Sequence, residues 1–180
     1  KIFQYQRSLS ELYFWKIGSK SISYKSFLKK LGSRKRLYAP KKIKNPYCSQ
    51  KVTFAKQNLS QIAMLPFVRL LGITGSVSAN NAKKNDDIDI FIITAPHTLW
   101  ITRPLILLYL EIKGIRRRRG TPLNDQKDLI CPNLWLDSTN LKINKQDQNL
   151  YTAHEVLQAK PLFDKSQTYQ HFLKTNIWVK

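Results

Sequence analysis

Acidic residues are scarce in this chain: 11 Asp and Glu stand against 31 Lys and Arg, giving a formal charge of +20 at pH 7. That imbalance favours polyanionic partners, namely nucleic acid, nucleotide phosphates or an anionic surface. Lys, Asn and Ile are all plentiful, so compositional bias accounts for part of the lysine but not for the shortage of acids. Cysteine is almost absent. Cys48 and Cys131 cannot build a disulfide framework and lack the His/Cys spacing of a zinc site, so both are expected to be reduced, buried thiols. No secretory h-region opens the sequence. The longest apolar run, "PLILLYLEI" from Pro104 to Ile112, is too short to span a bilayer and carries Glu111, so the expected compartment is the cytoplasm. Internal repeats and low-complexity tracts are missing too. The first residue is Lys1 and the last stretch, "NIWVK", is apolar, so both ends are provisional.

What is present suffices for a core. With 180 residues, 42% of them hydrophobic, the chain can form one compact domain with a small appendage. The first fifty residues are basic and aromatic. "SLSE" at Ser8 to Glu11 has capping-box spacing, with Leu9, Leu12, Tyr13 and Trp15 on one face before Gly18. A second helix is expected through "SYKSFLKKLG", where Tyr24, Phe27, Leu28 and Leu31 share a face and Gly32 ends it. The basic stretch "SRKRLYAPKKIKNPY" follows as irregular chain or a small hairpin. Two short helices and a basic ribbon suit a truncated winged-helix-like module over residues 1–50, or equally a helical lead-in with a solvated charge run.

From Lys51 the periodicity turns helical in "KVTFAKQNLSQIAML" until Pro66 stops it. "FVRLLGIT" is a strand that runs into Gly75-Ser76, and after the polar "SANNAKKN" comes a second strand, "DIDIFIIT". Period-two geometry puts Asp87, Asp89, Phe91 and Ile93 on one face and Ile88, Ile90 and Ile92 on the other, as in a central strand covered on both sides. "TLWITRPLILLYLEIKG" predicts a helix ended by Gly114, and "DLICPNLWL" a third strand that Pro132 confines to an edge or a bulge. Thr152 to Glu155 has capping-box spacing at the head of another helix, and "QTYQHFLKT" predicts the last one.

Two aspartates on one strand face concentrate negative charge, which is costly unless a cation sits between them. Mg²⁺ takes hard oxygen ligands and keeps substrate phosphates in its shell, matching two carboxylates without His or Cys. Gly75 allows close backbone approach to phosphate and Ser76 offers hydroxyl and amide donors. Together these residues describe a metal-nucleotide site.

Gly75-Ser76, ten residues, then Asp87-Ile88-Asp89 resembles the signature of the DNA polymerase beta-like nucleotidyltransferases, a superfamily that includes kanamycin nucleotidyltransferase and poly(A) polymerases. The resemblance covers roughly residues 51–140. It implies an α+β fold, a mixed β-sheet flanked by helices in a domain over residues 51–180, and ATP or another nucleoside triphosphate as donor. It also implies two Mg²⁺ ions, with Mn²⁺ as substitute, on three carboxylates, and attack of an acceptor hydroxyl on the α-phosphate with release of pyrophosphate. The third carboxylate in this superfamily lies near the start of a later strand: Asp128 fits that placement and Asp137 is the alternative. Nine residues apart, they fall on opposite faces of a regular strand, so both cannot serve. Several bacterial nucleotidyltransferase-domain proteins are also similar in carrying a short winged-helix-like segment before the core and helices like "YTAHEVLQAKPLF" after it.

Lys83 and Lys84 lie between the two halves of the motif, where they would neutralise triphosphate charge or simply stay solvated. Arg103 either faces phosphate or snorkels from an apolar helix. Arg116 to Arg119 suit a polyanion contact better than catalysis. His97, His154 and His171 share no ligand spacing, and Trp15, Trp100, Trp135 and Trp178 are assigned to core packing. The expected activity is metal-dependent nucleotidyl transfer to an acceptor, RNA or another nucleic acid being favoured by the charge. The competing expectation is a catalytically silent member of the fold that binds nucleic acid as a regulator.

Overall fold

The structure is a computed structural model that describes residues 23–32 and 45–179. The chain divides into two compact units, residues 1–44 and 45–180. Within the first, α1 (Tyr24–Leu31) begins at Ser23, whose Oγ accepts the Ser26 amide hydrogen at 3.2 Å, and ends at Gly32 with φ of 50°. This is the second helix expected from the sequence. The helix expected after Ser8, the basic stretch that follows α1 through residue 44, Trp15 and most of the winged-helix-like module lie outside the described residues.

The second unit opens with α2 (Pro46–Met64), so the boundary expected after residue 50 falls inside a helix. Asn45 caps it by accepting the Tyr47 amide hydrogen at 3.0 Å, and Pro46 occupies a first-turn position where no amide hydrogen is needed. Pro66 stops the helix. β1 (Val68–Ile73) follows, then a single turn α3 (Gly75–Ser78), β2 (Ile88–Thr94), α4 (Leu99–Ile112) and β3 (Ile130–Asp137). The chain continues through α5 (Leu150–Gln158), β4 (Lys160–Asp164) and α6 (Thr168–Thr175). Pro104 is accommodated within α4, and Gly114, at φ of 65°, follows that helix.

The four strands form one mixed sheet in the order β3-β2-β1-β4. β1 runs antiparallel to both β2 and β4, whereas β2 and β3 are parallel and joined by the α4 crossover. The protein is thus α+β, with helices on both faces of the sheet. One face of β2 sends Ile88, Ile90 and Ile92 into a core with Ala55, Leu59 and Ile62 of α2 and Ile106 and Leu110 of α4. The other face sends Phe91 and Ile93 against Val156 of α5 and Phe172 of α6. Fully burying each such side chain contributes about 1.5–3 kcal/mol, which makes β2 the best-anchored strand. Its alternation matches the expected one.

Three local expectations differ from the structure. β4 occupies a segment for which the sequence pattern predicts no strand; an edge position and a register shift opposite Leu71 and Gly72 accommodate its Pro161. Asn149, not Thr152, caps α5, accepting the Thr152 amide hydrogen at 3.0 Å. Trp100 is 81% exposed rather than packed, on a face of α4 that also exposes Ile101, Leu105, Leu108 and Ile112. Among the described residues no helix is long and apolar enough to cross a membrane.

Candidate metal and nucleotide site

The site is built at the end of β2 where the strand emerges between β1 and β3. Asp87 precedes the strand and Asp89 is its second residue, so their one-residue spacing places both carboxylates on one side. Parallel pairing sets Asp89 opposite Cys131 of β3. Ligand-type atoms of Asp87, Asp89 and Cys131 lie within 4.8 Å of one another, and this is the candidate metal-holding group among the described residues.

Gly75 closes the other side. The Thr74 amide donates to the Asp89 carbonyl at 3.0 Å, fixing the turn after β1 against β2. Gly75 then adopts φ of +61°, and a Cβ there would come within 2.3 Å of Asp89 Oδ2. Only glycine therefore lets the backbone lie on that carboxylate. The Ser76 hydroxyl is engaged by a neighbour: it donates to Asp86 Oδ2 at 3.1 Å, and the Lys83 amide donates to the same oxygen at 2.9 Å. Asp86 thus ties the loop between the two halves of the motif. The side chains of Lys83 and Lys84 are exposed.

Charge at this corner is poorly balanced. Arg117 Nε lies 3.0 Å from Asp87 Oδ2, and Arg117 Nη1 donates to Cys131 Sγ at 3.5 Å. Asp89 is pushed up from 3.8 to about 6, chiefly by burial and then by the neighbouring charge of Asp87; the Cys131 thiol and Arg117 act in the opposite sense. Burial also raises the Cys131 thiol, so it stays protonated and can donate to a carboxylate. Its half-buried position differs from the fully buried state expected of both cysteines; Cys48 is buried, with its Sγ accepting the Ala82 amide at 3.3 Å. Glu155 of α5 reaches the same corner. Its carboxyl is raised by burial, an effect the Gly75 amide partly offsets, and its charge is felt by Asp89.

Asp128 lies outside this group. It sits just before β3 at φ of 61° and its Oδ1 takes the ammonium of Lys51 at 2.6 Å. Lys51 is fully buried and also donates to the carbonyls of Asp86 at 2.7 Å and Lys84 at 3.2 Å. Asp137 is farther still, at the opposite end of β3 beside Thr94, where its Oδ1 accepts the Thr139 hydroxyl at 2.7 Å and amide at 2.9 Å. The fold therefore sets Gly75 on Asp89 beside Asp87, leaves the Ser76 hydroxyl on Asp86, and adds Cys131, Arg117 and Glu155 to the acid pair. Sequence reasoning missed those three as site residues because none lies near the motif in the chain. The available signal was Cys131 itself, in a segment already assigned to a strand beside "DIDIFIIT".

Chemically, the two carboxylates supply hard oxygen ligands for a divalent cation, and the thiol adds a softer donor. A cleft of about 880 Å³ opens alongside, lined by Arg103, Glu111 and Arg116 to Arg119, with Cys131 and Trp135 on its wall. A second cavity, of about 370 Å³, lies under α5 and includes Tyr151 and Glu155.

No protein-family model and no curated protein matches this chain. Among solved structures, a toxin-antitoxin crystallised with AMP-PNP is similar at 18% identity and a TM-score of 0.35, over 69% of this chain and 82% of that one. A mutant of the toxin-antitoxin MntA-HpeT is similar at 18% identity and a TM-score of 0.34, over 71% and 82%. Likeness at this level carries nothing about what this chain does.

Proposed function

We propose that this protein is a metal-dependent nucleotidyltransferase that moves a nucleoside monophosphate from a nucleoside triphosphate to an acceptor hydroxyl. Asp87 and Asp89 hold Mg²⁺, with Mn²⁺ as a substitute; two carboxylates, completed by phosphate oxygens and water, fit such an ion, and the protonated Cys131 thiol beside them is not a ligand it favours. The bound metal would supply Lewis-acid polarisation of the phosphate. Gly75 and Ser76 present backbone to the triphosphate, with Lys83 and Lys84 near its charge. In the transfer the acceptor oxygen bonds to the α-phosphorus as the bond to pyrophosphate breaks, and the acceptor proton passes to a base. Asp128 is the third carboxylate that the resemblance implies. Held by Lys51, it is a weaker choice than Glu155, whose raised carboxyl lies at the Gly75 turn.

The observation that carries this reading is the contact of the Gly75 backbone with Asp89, which sets a glycine turn and two carboxylates around one point. The test is transfer of label from an α-phosphate-labelled nucleotide in the presence of Mg²⁺. Loss of transfer in both Asp87→Asn and Asp89→Asn is expected, and undiminished transfer in the two variants would refute the assignment. A second reading, a silent fold that binds nucleic acid, is favoured by one detail: Arg117 already occupies Asp87 and a thiol stands where a third carboxylate is expected. It predicts no transfer with any nucleotide.

A further inference from the structure

We propose that the arginine cleft beside the acid pair binds the sugar-phosphate backbone of a single-stranded polynucleotide; resting on the nucleotidyltransferase reading, that strand is the acceptor. Five arginines and one glutamate line the cleft of about 880 Å³. Every basic side chain in the lining is arginine, whose planar fork meets two phosphate oxygens at once where lysine offers a point charge.

The basic run is part of the fold rather than a solvated tail. The Arg117 amide donates to the Ile130 carbonyl at 2.9 Å and the Ile130 amide to the Ile115 carbonyl at 2.7 Å, which pins residues 115–117 to the edge strand. Extended backbone then alternates the side chains. Arg116 and Arg118 turn to Glu111 of α4, while Arg117 turns to Asp87 and Cys131. Glu111 holds the first two in place, and its single charge cannot neutralise both. Arg103 and Arg119 have no carboxylate partner among the described residues. The cleft therefore keeps a strong positive excess in a fixed arrangement.

Trp135 decides for a single strand over a duplex. The Arg103 guanidinium lies 5.8 Å from the centre of its ring, and the half-buried indole forms part of the cleft wall. An arginine stacked on an aromatic ring is a platform for an unpaired base; paired bases in a duplex offer no open face to it. Cys131 and Arg117 belong both to the cleft wall and to the corner of Asp87 and Asp89, so a strand lying in the cleft brings its terminus to the acid pair.

The experiment is fluorescence anisotropy of labelled oligouridine, oligothymidine and a DNA duplex with the full chain, in chelator and without nucleotide. Binding of a single-stranded probe that weakens with salt is expected, RNA and DNA arms reporting whether the ribose hydroxyl contributes. The double variant Arg103→Ala with Arg119→Ala is expected to weaken it about tenfold or more and to flatten the logarithmic salt slope by about two. Lys145→Ala with Lys174→Ala removes two exposed charges away from the cleft and is the control; unchanged circular dichroism excludes misfolding of either. Equal losses in the two double variants, tighter binding of the duplex, or no binding of either single strand would overturn the proposal. Failure of the enzymatic reading looks different: single strands still bind through Arg103 and Arg119 while no nucleotide is transferred. Failure of the cleft alone leaves Mg²⁺-dependent transfer to some other acceptor that ignores the arginine variants.

Discussion

At one corner of the sheet a buried ammonium, Lys51, meets two backbone carbonyls and the Asp128 carboxylate, three acceptors for its three hydrogens. At the neighbouring corner Arg117 pairs with Asp87 while its charge also acts on Asp89, and burial pushes Asp89 up to about 6, with Glu155 adding a further negative charge. Asp86 belongs to both: its carbonyl serves Lys51 and its carboxylate holds Ser76 and Lys83. The first corner is a closed network in which every ammonium hydrogen has its acceptor. The second keeps acidity in excess and a glycine where a side chain would collide. Electrostatic satisfaction marks the structural corner, and its lack marks the one proposed above to receive a ligand.

Breaking the open corner should have the largest effect. Asp89→Asn should lower nucleotidyl transfer by roughly a thousandfold or more, since a metal's charge stabilisation is worth several kcal/mol, while thermal denaturation shows no loss of stability. Transfer and Tm measured on one preparation check both halves. Breaking the closed corner should do the reverse. Lys51→Met leaves Asp128 unpaired and two carbonyls without their donor, at a cost of about 3 kcal/mol by urea denaturation; the partial exposure of Asp128 keeps it near the low end for a buried pair.

Acid titration sharpens the contrast. Because the Asp89 carboxyl holds its proton up to about 6 in the fold against 3.8 in the free side chain, the folded chain binds a proton that the unfolded chain has lost between those values. Stability from this group therefore falls as pH rises through that window, by about 1–2 kcal/mol once partial solvent exposure is allowed for. The difference in denaturation midpoint between the metal-free protein and Asp89→Asn, followed from pH 4 to pH 7, should show this slope; a flat difference would mean that Asp89 is not strained by its neighbours. The smallest effect is expected from Cys131→Ser. Mg²⁺ affinity by calorimetry should stay within about threefold, whereas a soft ion such as Cd²⁺ should lose most of its binding, because only the latter prefers sulfur.

Periodicity carried most of the fold. Ile88, Ile90 and Ile92 alternate with Asp89, Phe91 and Ile93 so regularly that both faces of β2 were legible from spacing alone. β4 was not, because an edge strand of five residues containing Pro161 has too short a pattern to outweigh the proline. In the site, Gly75, Asp87 and Asp89 share one local signature and were found together. Arg117, Cys131 and Glu155 reach it through a parallel register and a helix packed across the sheet, contacts that nothing near those residues encodes. Glu155 even carried a competing local signal, the capping-box spacing after Thr152, which Asn149 makes redundant. Asp128 shows the converse case: its position before β3 was read correctly, but φ of 61° and a lysine 77 residues earlier in sequence decide where its carboxylate goes.

The parallel pairing of β2 with β3 has a kinetic consequence. During synthesis the acid pair leaves the ribosome well before its companions on β3 and α5, and the crossover must close before Cys131 can stand opposite Asp89. Until that docking the two carboxylates sit in water as ordinary acids; only in the finished sheet do they stand together beside Cys131. Catalytic competence should accordingly appear with the final phase of refolding, after the helices have formed.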